Sequence, residues 1–362
     1  MLFHSLLERE SGVYVVQVSF RLAGLLDEDA FEQAWNHLIR RHDVLRTAFV
    51  WEHLETPLQV VGRQAALPFE RLDLSSASGS WSNGDLSDFL TSDRQRGFDP
   101  AMAPLMRVTL LREDNTLHRV VWTYHHLILD GWSLPILMSE WVAAYQTAIG
   151  STLPEQPTTS LKYKDYLAWL KSQDKRASLE YWQNYLRGFR GPTPLGVDQK
   201  SDLPQSQGQT LTTPVAHLCK YLSTETTERL KEMAKQERLT LSTLVQGAWA
   251  IVLSRYSDTD DVVFGVARSG RPPALPLFDQ RVGMFINTLP IRAKLDDNQS
   301  VTAWLQSLQA MQQEQQSFEH ASLTDVHEAS EVPRNLPLME SVVVFENYPL
   351  GSMSPQAEQS LA

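Results

Sequence analysis

Residues 12–22, GVYVVQVSFRL, alternate roughly between apolar and polar positions and are rich in β-branched and aromatic side chains, which predicts a strand. From 27 to 42 the apolar positions fall at helical spacing behind acidic residues suited to a helix start, so a helix follows. Short strands are expected at 47–51 and 58–61, a helix at 85–96, and another strand at 106–112. Residues 118–126 read as a strand and 134–149 as a helix, with Ser133 as its N-cap and Pro135 tolerated in the first turn. The stretch 151–160, STLPEQPTTS, has linker composition, and helices are predicted after it at 163–172 and 179–186.

Beyond a polar, Pro- and Gly-rich loop at 188–209 the pattern resumes. A strand is expected at 215–222, then helices at 224–237 and 242–256. Strands at 262–266, 285–295 and 342–345 flank a glutamine-rich helix at 301–318, whose glutamines form a solvated face. Both kinds of element alternate in both halves, without a repeat of fixed period. The expected fold is therefore α/β of the mixed-sheet, α+β type. A chain of 362 residues exceeds what one hydrophobic core usually covers, so two lobes are expected, 1–175 and 176–362.

Composition narrows the function classes. Apolar residues make up 42% and charged residues 21%, as in a folded globular protein. The net charge of -11 argues against nucleic acid, whose phosphates call for a basic surface. Cys219 is the only cysteine, which excludes an intramolecular disulfide and a thiolate metal site. Residues 1–12 are too short in apolar run and too charged for a signal peptide or a membrane span, so the cytoplasm is the expected location and no membrane is implied.

The sharpest local feature is Tyr124-His125-His126-Leu127-Ile128-Leu129-Asp130-Gly131-Trp132-Ser133, on the expected strand-to-helix turn. Side chains alternate across a strand, so the two histidines point to opposite faces and one of them is structural. Asp130-Gly131 suits a turn, the aspartate bonding nearby amides and the glycine reaching conformations closed to other residues. Each residue alone fits an ordinary strand-ending turn; two adjacent histidines followed by Asp-Gly at this spacing point to chemistry. A metal site is disfavoured, because adjacent strand residues diverge and no His, Cys or carboxylate partners recur at ligand spacing.

The run HHLILDGWS resembles the HHxxxDG core motif of nonribosomal peptide synthetase condensation domains, enzymes of secondary metabolite biosynthesis. Four further stretches resemble that family's landmarks in family order: RHDVLRTAF at 41–49, YKDYLAW at 163–169 with Tyr181-Trp182 after it, VGMFINTLPIR at 282–292, and Phe318-Glu319-His320 with FENYP at 345–349. The resemblance spans essentially the whole chain and is more specific than HxxxDG, which acyltransferases of the chloramphenicol acetyltransferase type share.

The resemblance implies two chloramphenicol acetyltransferase-like lobes arranged as a V around a central tunnel. Donor and acceptor carrier proteins present aminoacyl or peptidyl thioesters on phosphopantetheine arms, and the acceptor amine attacks the donor carbonyl to make an amide. It implies no cofactor of the domain's own and adjacent synthetase domains as partners. His126 carries over as the catalytic histidine and His125 as its structural neighbour. A free α-amine has a pKa of about 7.7 to 8.0, so an appreciable fraction is already neutral at cytosolic pH, and His126 is expected mainly to orient it or stabilise the tetrahedral state. Aligning two tethered reactants supplies roughly 7 to 11 kcal/mol, more than proton transfer does.

Asp130 is expected to fix the turn through an ion pair with Arg41 or Arg46. Gly131 keeps the approach open or offers its amide to an oxyanion. Asn287 matches an asparagine beside the family's tunnel; a strand asparagine satisfying backbone is the other reading. Trp132 would border the tunnel while packing, and Tyr166, Trp169 and Trp182 read as packing aromatics.

Compared with the family, the second lobe is expected to be incomplete at its end and residues ahead of Met1 to be missing. Two alternatives follow from the same motifs: a truncated, non-catalytic carrier-docking module, and a free-standing HxxxDG acyltransferase.

Overall fold

The structure, a computed structural model, describes residues 2–7, 12, 14–74, 83–151, 162–197 and 218–346. Among these the chain forms two compact units. The first holds Met1–Trp169 with Arg271–Phe285, and the second Leu170–Gly270 with Ile286–Asn347. This differs from the expected single crossing between 175 and 176: the chain returns to the first unit for one segment, which supplies part of the site described below.

The first unit runs α1 (Leu2–Leu7), β1 (Val15–Ala23), α2 (Glu28–Arg41), β2 (Thr47–Val50), β3 (Leu58–Val61), β4 (Phe69–Asp73), α3 (Asn83–Gln95), β5 (Met106–Arg112), β6 (Leu117–His125), α4 (Ser133–Ala148) and most of α5 (Tyr163–Ser172). Asp27 caps α2 as its acidic start predicted, accepting from the amides of Asp29 and Ala30. Strands β1, β6, β5 and β4 form one sheet in that order, antiparallel except for the parallel β5–β4 pair; β2 and β3 form a separate hairpin.

Alternation sorts the sheet's two faces. Val18, Trp122 and Val108 lie side by side across three strands, as do Phe20, Val120 and Leu110. That row packs on Phe31, Trp35 and Leu38 of α2 and Leu137 and Trp141 of α4, giving the unit its apolar core. On the other face Gln17, Thr123 and Arg107 are also in register. All three reach Asp93 of α3, at 2.7, 2.5 and 2.6 Å respectively. Burial opposes ionisation of Asp93, but the bonds from Arg107, Thr123 and Gln17 outweigh it and hold the carboxyl below its ordinary pKa.

The second unit contains α6 (Lys175–Tyr185), α7 (Thr224–Gln236), α8 (Leu241–Ser257), β7 (Asp261–Arg268), β8 (Asn287–Lys294), α9 (Val301–Gln315), α10 (Leu323–Ala329) and β9 (Val342–Val343). Its sheet has the order β8-β7-β9, antiparallel then parallel. Pro290 is tolerated inside β8 because that strand lies at the sheet's edge. Trp304, Leu305 and Leu308 of α9 and Ala250 and Leu253 of α8 close over Phe264 and Ile291, while Trp182 of α6 and Val326 of α10 share a second cluster with Val263.

Four elements depart from the expected pattern. α1, β4 and α10 were not foreseen, and 218–222, part of an expected strand, form none; residues 215–217 of that strand lie outside the described residues, as do Asn347, Tyr348 and Pro349 of FENYP and nearly all of 151–160. No helix among the described residues is long and apolar enough to cross a membrane.

Candidate active site

β6 ends at His125, and the chain turns through Asp130 and Gly131 into α4, so the histidine pair sits at the mouth of a strand-to-helix turn. His125 is buried on the sheet face shared with the Asp93 row. Its Nδ1 accepts from the Leu127 amide at 3.0 Å, which places the ring proton on Nε2, 3.2 Å from the Ser5 hydroxyl of α1. Burial, helped by the charge of His126, pushes its pKa down to about 4 and keeps it neutral.

His126 is half-buried, edge-on to Tyr124. Its Nδ1 lies 2.8 Å from the Leu129 carbonyl. A carbonyl can only accept, so Nδ1 carries a proton, and in the neutral ring the lone pair is on Nε2. Nε2 makes no hydrogen bond among the described residues. The two rings thus hold opposite tautomers, and only His126 offers a basic nitrogen.

Asp130 is fully buried. Arg271 grips it with Nη1 at 2.6 Å and Nη2 at 2.9 Å, the Ser133 amide and hydroxyl donate at 3.0 and 2.8 Å, and the Phe285 amide donates at 3.1 Å. A carboxylate removed from water survives only with such a set of donors. The Arg271 guanidinium also lies over the Phe285 ring, 4.4 Å from its centroid.

The expected partners of Asp130, Arg41 and Arg46, are engaged elsewhere. Arg46 turns back onto the end of α2, donating to the carbonyls of Ile39 and Arg40 at 2.5 and 2.7 Å and to Asp43 at 2.7 Å. Arg41 pairs with Glu140 of α4 at 3.2 Å, on the same oxygen that meets His42 at 2.5 Å. Both sit where a helix presents unpaired carbonyls and the negative end of its dipole, which attracts cations. Ser133 is also corrected: Trp132 occupies the N-cap position without a side-chain cap bond, and the Asp130 carboxylate accepts the Ser133 amide as a cap would. The serine hydroxyl is thereby left to bond Asp130 and the 271–285 segment.

Gly131 is buried and its carbonyl begins α4 by accepting from Leu134 at 3.2 Å; Trp132 beside it is half-buried. Asn287 belongs to the second unit. Its side-chain amide donates to the carbonyls of Glu319 and Ala321 at 2.9 and 2.6 Å, which spends both protons on backbone and leaves Oδ1 as its remaining polar atom. Tyr166 packs edge-on against Phe285, and Trp182 is fully buried. No group of three or more His, Cys, Asp or Glu placed to hold a metal occurs among the described residues.

Sequence reasoning missed Arg271, Gly283 and Tyr163. Arg271 and Arg281 stand in an otherwise Gly- and Pro-rich stretch leading into VGMFINT, and two arginines ahead of that motif were the available signal; the structure buries both.

The condensation-domain family matches residues 1–362. The chain belongs to the condensation-domain family. Amide-bond formation between carrier-bound substrates is that family's activity. The chain is 43% identical over 369 residues to one of the linear gramicidin synthase proteins of Brevibacillus parabrevis, covering 100% of this chain and 5% of that protein. It is 43% identical over 343 residues to a chondramide synthase of Chondromyces crocatus, covering 94% of this chain and 8% of that one. This condensation-domain sequence thus spans a small part of the multidomain relatives it matches.

Solved structures agree in fold. The X-domain from teicoplanin biosynthesis superposes with a TM-score of 0.77 at 22% identity, covering 94% of this chain and 75% of that one. The first condensation domain of the calcium-dependent antibiotic synthetase gives 0.75 at 17%, covering 96% and 78%.

Proposed function

We propose that this condensation domain joins two carrier-bound substrates, with His126 acting on the attacking amine. The donor is an aminoacyl or peptidyl thioester and the acceptor an aminoacyl thioester, each on the phosphopantetheine arm of a carrier protein supplied by adjacent synthetase domains. The acceptor nitrogen bonds to the donor carbonyl carbon, the carbon–sulfur bond breaks, and the donor arm leaves as a thiol. The amine must shed one proton on the way, and the thiolate must gain one.

The observation that carries this reading is the pinned tautomer of His126, which leaves Nε2 a hydrogen-bond acceptor at the end of β6. Such a nitrogen aligns an amine by accepting its N–H and can take the proton as the amide forms. Asp130 serves the turn rather than the proton, since its oxygens are already occupied by Arg271, Ser133 and Phe285. Gly131 and Trp132 border the turn beside the histidine. Asn287 acts by holding the backbone that follows α9 through its two donated bonds.

Single-turnover amide formation between two loaded carriers tests the reading. His126→Ala should slow product formation at least about tenfold, the lower part of what a positioned acid–base group contributes. A parent that folds and binds carriers but makes no amide would instead support a docking module, and turnover with a soluble thioester alone would support a free-standing acyltransferase.

A further inference from the structure

We propose that Gly283 sets the tautomer of His126 through the peptide joining Leu129 to Asp130, which makes Ser133 and Tyr163 positioning residues for that histidine. The mechanistic consequence rests on the reading of His126 given above; the tautomer itself does not.

The chain of contacts is short. His126 Nδ1 donates to the Leu129 carbonyl at 2.8 Å. That carbonyl belongs to the same planar peptide as the Asp130 amide, so the two can only turn together. The Asp130 amide donates to the Gly283 carbonyl at 3.2 Å. Gly283 therefore aims the oxygen that holds the His126 proton on Nδ1. Hydrogen bonds at both ends of one peptide also polarise it in the same sense, strengthening each other.

Gly283 is itself clamped from two sides. Its amide donates to the Ser133 hydroxyl at 3.1 Å, and its carbonyl lies 3.0 Å from the same oxygen. Tyr163, the first residue of α5, donates its hydroxyl to the next carbonyl, that of Met284, at 2.5 Å. The Tyr163 ring occupies the space a side chain at 283 would need: a Cβ there would meet ring carbons at 2.5 and 2.8 Å. Only glycine lets the segment lie this close to both the ring and the turn. Burial raises the Tyr163 phenol far above its ordinary pKa, so the donor keeps its proton at any working pH.

The experiment is nitrogen NMR of protein labelled with 15N-histidine, the His126 signals being assigned by their loss in His126→Ala. The parent, Ser133→Ala, Tyr163→Phe and the conservative Ser133→Thr are compared, alongside single-turnover rates. In the parent, His126 is expected mainly as the Nδ1–H tautomer. In Ser133→Ala and Tyr163→Phe the ratio of Nδ1–H to Nε2–H should fall at least about fivefold, the worth of roughly one hydrogen bond. The maximal rate should fall with it while the KM for the acceptor holds, and Ser133→Thr should restore both.

A parent with the proton on Nε2, or a ratio unmoved in both variants, overturns the proposal even if the rate drops. Tyr163→Phe retains the ring and its packing, so it remains readable if Ser133→Ala fails to fold. A ratio that shifts as expected in a protein that forms no amide upholds the tautomer inference and defeats the functional reading instead.

Discussion

Asp93 and Asp130 are both buried, both meet an arginine and both collect further donors, yet they fasten different things. Asp93 gathers Gln17, Thr123 and Arg107, three side chains in one row of one sheet, and ties them to α3. Everything it joins is scaffold. Asp130 gathers the first turn of α4 and a segment 141 to 155 residues further along the chain, and it does so four residues after His126. Both ion pairs are short and buried, although Arg107 meets Asp93 through Nε alone and Arg271 meets Asp130 through two nitrogens. A buried Asp–Arg pair therefore does not mark a functional site; what the pair connects does.

Stability measurements should show the likeness. Arg271→Ala and Arg107→Ala each strand a buried carboxylate, and each should lower the unfolding free energy in urea by about 3–5 kcal/mol. A loss under about 1 kcal/mol at either site would mean that its carboxylate behaves as an exposed surface charge, and the comparison would break there.

A smaller effect separates the two histidines. The pKa of His125 is depressed to about 4 in the folded chain. Its contribution is therefore complete above the unfolded value of about 6.5 and is lost as pH falls toward 4, amounting to about 3 kcal/mol between pH 7 and pH 4. In His125→Asn, whose Oδ1 can still accept from the Leu127 amide, that part of the acid sensitivity should vanish. Equal pH dependence in parent and variant would show that His125 is not held neutral.

Much of this was legible in the sequence because it is local. Residue type and alternation gave β1, β5 and β6, and helical spacing gave α2, α4, α8 and α9. Strand alternation agreed with splitting the histidine pair but could not choose the member, and His126 lies one residue past the end of β6. β4 escaped because Phe69–Asp73 carries Glu70, Arg71 and Asp73 and is exposed at every residue but Phe69, and α10 because seven residues hold too few turns for a period. The partner of Asp130 escaped for a different reason. Arg41 and Arg46 belong to a recognisable stretch, but their distance from α2's last carbonyls is fixed by local sequence, whereas Arg271 reaches Asp130 only through a long-range return of the chain. Periodicity carries no information about such a return. Asn287 was open between substrate and backbone, and its amide protons went to backbone.

The most direct test of the account compares Asp130→Asn with Asp93→Asn in single-turnover amide formation, each rate divided by the fraction of folded protein. Asp93→Asn should stay within about twofold of the parent, because that carboxylate joins scaffold to scaffold. Asp130→Asn should fall by at least about thirtyfold, near 2 kcal/mol of lost positioning, because the turn that aims His126 loses its anchor. Equal rates per folded molecule in the two variants would contradict the claim that Asp130, unlike Asp93, serves the chemistry.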